Sequence, residues 1–350
     1  MERLLRSPRA LLALIGGYLL WQVILRLLIG GGLELDEGEQ LILSQRLQPG
    51  YGPQPPLYTW LQIGLLRLGD NPLLALSLLK NGLLFVTYSA IYLAARRLCP
   101  SPESAALAAL SLLLLPQIGW ESQRDLTHSV LVTAVGALTL WLVLGMAARR
   151  AQWADYVWLG ILLGIGVLSK LNYLLLFAAL LLALASLDRC KLLRPGLLLS
   201  LFIGLLIASP YLLWVRDSLD AAGASLGKFE AEGGGLAARA AGIWALARAL
   251  VSFAGLPLLV YWLVFRRWPD WRRVTEDPAR RQMWLLLVRS LWISLGVLLL
   301  FVLFSGAERI KDRWLLPLLF YLPLLLFAPG LPPSPPRGSR RYRAVVLGAM

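Results

Sequence analysis

The sequence predicts an all-α polytopic membrane protein of about 10–11 helices, with amphipathic helices in its first external loop. Three observations carry this. Apolar residues make up 58% of the chain and charged residues 15%, with a mean hydropathy of +0.67; soluble chains sit nearer half apolar and a quarter charged. The apolar residues come in runs of roughly 18–22, the length that crosses a bilayer core, whereas a β-barrel would alternate over about ten residues. Basic residues cluster at every second connection between runs, as they do in cytoplasmic loops.

Ten spans are expected, at 10–30, 72–95, 104–118, 129–147, 155–168, 171–187, 196–216, 243–265, 284–304 and 314–328. Several are short, and the pair meeting at Ser169-Lys170-Leu171-Asn172-Tyr173 also reads as one hydrophobic hairpin with a tight tip. Arg3, Arg6 and Arg9 precede the first span; Arg96 and Arg97 follow the second, and Arg149 and Arg150 the fourth. Arg189, Lys191 and Arg194 follow the sixth, Arg266, Arg267, Arg272, Arg273, Arg280 and Arg281 the eighth, and Arg337, Arg340, Arg341 and Arg343 the tenth. This alternation predicts a bacterial inner-membrane protein with a cytoplasmic N-terminus. It also accounts for most of the net charge of +14, so a nucleic-acid partner is not expected. The first run is too long for a cleavable signal and lacks an A-x-A site. Cys99 and Cys190 fall at cytoplasmic helix ends, so no disulfide is expected. Residues 1–350 read as a single transmembrane domain. Residues 329–343, rich in Pro, Ser and Arg, read as a cytoplasmic loop, and 344–350 as the start of an apolar run. That short run leaves open a further C-terminal region or a natural short form.

The opposite connections are 31–71, 117–128, 169–172, 217–242 and 305–313. They hold Asp36, Glu37, Glu39, Glu121, Asp125, Asp217, Asp220, Glu230, Glu232, Glu308 and Asp312, so chemistry is expected on that side. Carboxylates at a membrane surface are costly unless solvated or used. In the first of these connections, residues 34–47 read as an amphipathic helix, with Leu35, Leu41, Ile42 and Leu43 against Asp36, Glu37, Glu39 and Gln40. A second helix is expected at 57–68, beyond the turn Gly50-Tyr51-Gly52-Pro53-Gln54-Pro55-Pro56. A solvated loop with helix-capping acids is the simpler alternative.

Residues 117–128 form a dense polar cluster in which Asp125 and His128 lie three apart, on one face if helical. It reads as an acceptor or sugar-hydroxyl site, or as a short solvated loop. His128 is the only histidine, which excludes a multi-His metal site. The residues name no particular cofactor, and Mg²⁺ or Ca²⁺ on Asp36 with Glu121 or Asp125 stays open. Lys80, inside the second span, either snorkels outward or reaches a buried acid. The loop 217–242, with Gly227 and Gly233-Gly234-Gly235, has the glycines a lid needs and fits no Walker or Rossmann pattern. The 14 tryptophans suit interfacial belts first, with Trp120 or Trp214 stacking on a sugar second.

Four stretches carry a family resemblance: Asp36-Glu37 followed by Gly50-Tyr51 and Pro55-Pro56-Leu57; Gly164 through Ser169-Lys170 to Tyr173; Ser209-Pro210 to Trp214; and Arg309-Ile310-Lys311-Asp312-Arg313-Trp314 to Pro317. In this order the chain resembles the polyprenyl-phosphate-sugar-dependent glycosyltransferases of the GT-C class, protein-mannosyltransferase-like and aminoarabinose-transferase-like. The resemblance implies a GT-C-like bundle and makes Asp36 the general base, with Glu37 the runner-up or an orienting partner. Many relatives carry Lys or His before the Pro-Pro pair, where this chain has Gln54; the donor phosphate is then expected on Arg309, Lys311, Arg313 and Lys170. Tyr51, Gln54, Glu121, Asp125 and His128 are expected around acceptor or sugar. The implied partners are a polyprenyl-phosphate-linked sugar, an envelope glycan, lipid or protein acceptor, and membrane lipids. The chemistry fits the residue types. One carboxylate deprotonates the acceptor hydroxyl, and cations stabilise the departing phosphate. A transporter or flippase of lipid-linked sugars is the alternative, although no internal repeat is visible; a non-catalytic assembly subunit is a third reading.

Overall fold

A computed structural model describes residues 5–69, 71–187, 195–220, 236–305, 307–331 and 336–350. Among these there is no strand, only a two-residue bridge between Tyr51 and Gln54. The helices, in chain order, are α1 (Pro8–Ile29), α2 (Leu35–Leu43), α3 (Leu57–Leu66), α4 (Pro72–Leu98), α5 (Pro102–Leu110), α6 (His128–Ala148), α7 (Trp153–Ser169), α8 (Tyr173–Leu187), α9 (Pro195–Asp217), α10 (Leu236–Phe265), α11 (Pro278–Ser305), α12 (Leu316–Leu319), α13 (Leu322–Phe327) and α14 (Pro336–Gly348).

Local chemistry starts several of these helices. Ser7, Asn71 and Ser101 each precede a proline, and each side chain accepts a backbone N–H of the first turn, from Ala10, Leu74 and Ser104. The caps satisfy orphan donors, and proline at the first helical position loses nothing. Arginines close the other ends: Arg26 lies in the last turn of α1, and Arg96 and Arg97 in that of α4.

Six helices are long and apolar enough to cross a membrane: α1, α4, α6, α9, α10 and α11. Helices occupy all ten expected places, but α7, α8 and the α12–α13 stretch are shorter. The expected span at 104–118 ends early. After Leu114 the chain bends by 70° into a second helical stretch, Gln117–Arg124. Leu115 is extended and Pro116 restarts the helix with one π turn over Gln117–Glu121. A Cβ at Gly119 would stand 2.2 Å from the Leu113 carbonyl, so the bend needs glycine.

The core centres on α6, buried on nearly every side by α4, α7, α8 and α11. Helices α7 and α9 approach closely where Gly160 meets the Ser200 backbone, Gly164 meets Ile207 and Gly204 meets Leu163, the small-residue packing typical of helices in lipid. Helices α1, α9, α10 and α11 turn apolar side chains such as Leu28, Phe202, Leu205, Val251 and Phe304 outward.

The expectation of a plain loop at 329–343 is corrected in part. Residues 336–348 form α14, with Tyr342 and Val346 buried beside Phe265, Tyr261 and Phe327. The Tyr342 and Ser111 hydroxyls pair at 2.9 Å. Arg280, through Leu98 and Ala328 carbonyls, and Arg343, beside Glu103, tie the basic connections together at one end of the bundle. Of the acids singled out in the sequence, Asp36, Glu37, Glu121, Asp125 and Asp312 gather at the other. The glycines expected to form a lid, at 227 and 233–235, lie outside the described residues, as do Cys190, Arg189, Lys191 and Arg194.

Candidate active site

Helix α2 is amphipathic in the opposite sense to a helix on a water-facing surface. Its apolar residues face out, with Leu35 86% and Ile42 68% exposed, while Glu37 and Gln40 are buried at 1% and 0%. The apolar face suits a membrane interface, and the polar face builds the site. Glu34 and Glu37 form a capping box at its start.

Glu37 is sealed in. One carboxylate oxygen lies 2.8 Å from Arg26 Nη2 and the other 2.7 Å from Lys80 Nζ. Lys80 therefore reaches a buried acid rather than snorkelling outward, and it also donates to the Gln123 carbonyl at 3.3 Å. With both oxygens held and no exposure, Glu37 cannot meet an acceptor hydroxyl. Of the two roles expected for Glu37, runner-up base and orienting partner of Asp36, this geometry fits the second, with Glu37 joining α1, α2, α4 and, through Lys80, the 117–124 stretch.

Asp36 faces the other way and is partly exposed. Its backbone N–H donates to Asp125 Oδ1 at 3.1 Å. Arg313 Nη1 stands 3.8 Å from Asp36 Oδ2 and 3.5 Å from Asp125 Oδ2. Two acids 89 residues apart and a cation from the far end of the chain thus meet at one point. Burial, and then the Asp125 charge, raise the Asp36 pKa, while Arg313, Lys170 and Lys80 hold it back. The result is a carboxylate more basic than a free one, with the cations limiting that shift.

Arg313 is itself fixed by Asp312. That carboxylate accepts the Arg313 N–H at 2.8 Å, Gln117 Nε2 at 2.9 Å and the Ser252 hydroxyl at 2.6 Å. Beside this network lies an open cavity of about 490 Å³, lined by Trp120, Glu121, Arg124, Asp125, Ala245, Arg248, Ala249, Ser252, Ile310, Lys311, Asp312 and Arg313. Asp36 is not in its lining but is held by Asp125 and Arg313, which are.

The other expected residues separate. Lys170 donates to Ser129 Oγ at 2.9 Å and contributes its charge at Asp36. Lys311 and Glu121 line the cavity. Arg309 is exposed and outside the lining. Tyr51 and Gln54 close a turn, with backbone bonds of 3.2 and 3.1 Å; the Tyr51 hydroxyl donates to the Arg46 carbonyl and accepts the Gln48 N–H. Gly50 sits on the Trp214 ring, where a Cβ would come within 2.2 Å. That turn braces the site from outside the cavity. Asp125 and His128 do not share a helical face, because Asp125 is non-helical and α6 begins at His128. His128 is buried; Gln40 Nε2 donates to its Nε2 at 2.9 Å and Thr59 donates to Gln40 Oε1 at 2.9 Å, which locks α2, α3 and α6 together. A bound divalent cation between Asp36 and Asp125 does not fit, since a guanidinium stands beside both; among the described residues no group of three His, Cys, Asp or Glu side chains could hold a metal.

Arg26, Arg248 and the Asp312 network were missed as site residues. A signal existed for the arginines, since a charge inside an apolar run invites the question of its partner.

The fold and this end of the bundle define a membrane-embedded glycosyltransferase scaffold of the GT-C class. Residues 53–214 match the dolichyl-phosphate-mannose-protein mannosyltransferase family. The chain is 38% identical to the lipopolysaccharide core galacturonosyltransferase RgtB of Rhizobium johnstonii, over 89% of this chain and 63% of that protein. It is 34% identical to the lipopolysaccharide core galacturonosyltransferase RgtA of the same organism, over 99% of this chain and 70% of that protein. The chain thus spans about two thirds of the length of these relatives. The crystal structure of ArnT from Cupriavidus metallidurans bound to undecaprenyl phosphate superposes with a TM-score of 0.66 at 17% identity, over 96% of this chain and 63% of that one. The chain belongs to the GT-C glycosyltransferase family that includes RgtA and RgtB.

Proposed function

We propose that the chain transfers a galacturonosyl group from a polyprenyl-phosphate donor to a lipopolysaccharide-type acceptor. It does so with inversion, at the external face of the bacterial inner membrane and with its N-terminus in the cytoplasm. The observation that carries this reading is the meeting of Asp36, Asp125 and Arg313 beside a cavity lined by four cations and three acids. The galacturonosyltransferase relatives support the sugar and the acceptor class, and the ArnT complex with undecaprenyl phosphate supports the donor class.

In this reading the acceptor hydroxyl attacks C1 of the sugar, and the bond from C1 to the phosphate oxygen breaks with its electron pair on the phosphate. The hydroxyl proton passes to Asp36, whose raised pKa makes it a stronger base. Asp125 and Arg313 orient Asp36. Lys311 and Arg313, with Lys170 contributing charge, stabilise the departing phosphate. No acid is needed for a leaving group that is already a good anion.

The test is reconstitution of purified protein with a polyprenyl-phosphate galacturonate and core lipopolysaccharide. The acceptor should gain the mass of one uronic acid residue, with the anomeric configuration inverted by NMR. Retention of configuration, or transfer only from a nucleotide sugar, would overturn the reading.

A further inference from the structure

The cavity is lined by three acids, Glu121, Asp125 and Asp312, and by four cations. Of its four lining cations, Arg124 is paired with Glu34 at 3.1 Å and Arg313 stands beside Asp36 and Asp125. Arg248 and Lys311 face no carboxylate within ion-pair distance among the described residues. Lys311 directly precedes Asp312-Arg313, on the segment that brings Arg313 to Asp36. Arg248 comes from a different wall, α10.

The surroundings of Arg248 mark it as a ligand contact. Ala245, Arg248, Ala249 and Ser252 all line the cavity, at the i, i+3, i+4 and i+7 spacing of one helical stripe. The two alanines on this stripe are small and buried. Ser252 is held by Asp312, which joins the stripe to the Arg313 network. Arg248 is exposed and lies within a helix of spanning length and high hydropathy, where a charge invites the question of a substrate. Its planar fork matches a carboxylate in a bidentate pair.

We propose that Arg248 is a specificity-determining residue that binds the C6 carboxylate of a uronic acid donor, while Lys311 and Arg313 take the phosphate. This rests on the transfer reading above and names the group that distinguishes the donor sugar. The two substrate anions then match the two lining cations that have no carboxylate partner among the described residues.

The experiment measures binding without acceptor to the purified full chain in lipid nanodiscs. Three probes with the same short polyprenyl chain are compared: the sugar-free phosphate, its galactosyl ester and its galacturonosyl ester. Wild type should prefer the galacturonosyl over the galactosyl ester by roughly 10- to 150-fold, the range of a charge-assisted contact. Arg248→Gln should erase that preference while binding the sugar-free phosphate within about twofold of wild type, which also certifies folding. Arg248→Lys, which keeps the charge but loses the fork, should retain part of the preference. Equal weakening of all three probes in Arg248→Gln would make Arg248 a phosphate contact and overturn the proposal. So would an unchanged preference. If wild type binds none of the probes, the polyprenyl-phosphate reading itself fails; if the preference is present in wild type and insensitive to Arg248, only this inference fails.

Discussion

Asp36 and Glu37 are neighbours with opposite environments, and that contrast decides their roles. Glu37 is enclosed by two cations, whereas Asp36 is partly exposed and raised in pKa by burial and by Asp125. A base works ionised, so kcat/KM should fall as pH drops through this raised pKa. Arg313 lowers the Asp36 pKa; replacing it with Gln removes that influence and lets the pKa rise further. The acid limb of the kcat/KM profile should therefore move to higher pH in Arg313→Gln, apart from any loss of rate. An unmoved limb would separate Arg313 from the base. Asp36 was legible in the sequence as an acid beside a spanning run. Asp125 was legible only as an acid in a polar cluster, because what makes it matter is a contact across 89 residues.

At the scale of elements, helix α2 shows why a hydrophobic pattern gives a face but not its direction. Its apolar and polar residues separate in the sequence, yet the apolar side faces out and Glu37 and Gln40 face in. The polar stretch at 117–124 resisted reading for a related reason: Gln117 and Ser122 are buried, Gln117 Nε2 donating to Asp312 and the Ser122 hydroxyl to the Gln117 carbonyl, so their polarity does not mean solvent. Helix α14 was hidden by its proline- and arginine-rich composition, although Gly338, Tyr342 and Val346 recur every four residues and are buried, as is Arg343. The Arg26–Glu37–Lys80 cluster pins α2 to α1 and α4. Glu37→Gln should lower stability by about 3–5 kcal/mol, since it leaves buried cations uncompensated, and should appear as a marked fall in the melting temperature of the purified protein. Asp36→Asn should leave that temperature nearly unchanged. Equal melting of Glu37→Gln and wild type would return Glu37 to the list of candidate bases.

At the scale of the whole molecule, the alternation of basic connections predicted the two-ended layout that the packing displays, with Arg280 and Arg343 at one end and Asp36, Asp125 and Arg313 at the other. Helix lengths were less legible, because three of the apolar runs form helices too short to span alone. The orientation is tested by single cysteines at the exposed positions Gln48 and Arg340, in a background lacking Cys99 and Cys190. An impermeant thiol reagent on intact spheroplasts should label position 48 and spare position 340; the reverse pattern would invert the molecule and move the site to the cytoplasm. The layout exists to bring three distant segments to one carboxylate, and the most direct measurement of that claim is the turnover of Asp36→Asn. With a polyprenyl-phosphate galacturonate and core lipopolysaccharide, the purified variant should lose roughly 10²- to 10⁴-fold in rate while still binding the sugar-free lipid phosphate as wild type does. Product formation within a few-fold of wild type would contradict Asp36 as the base and the account built around it.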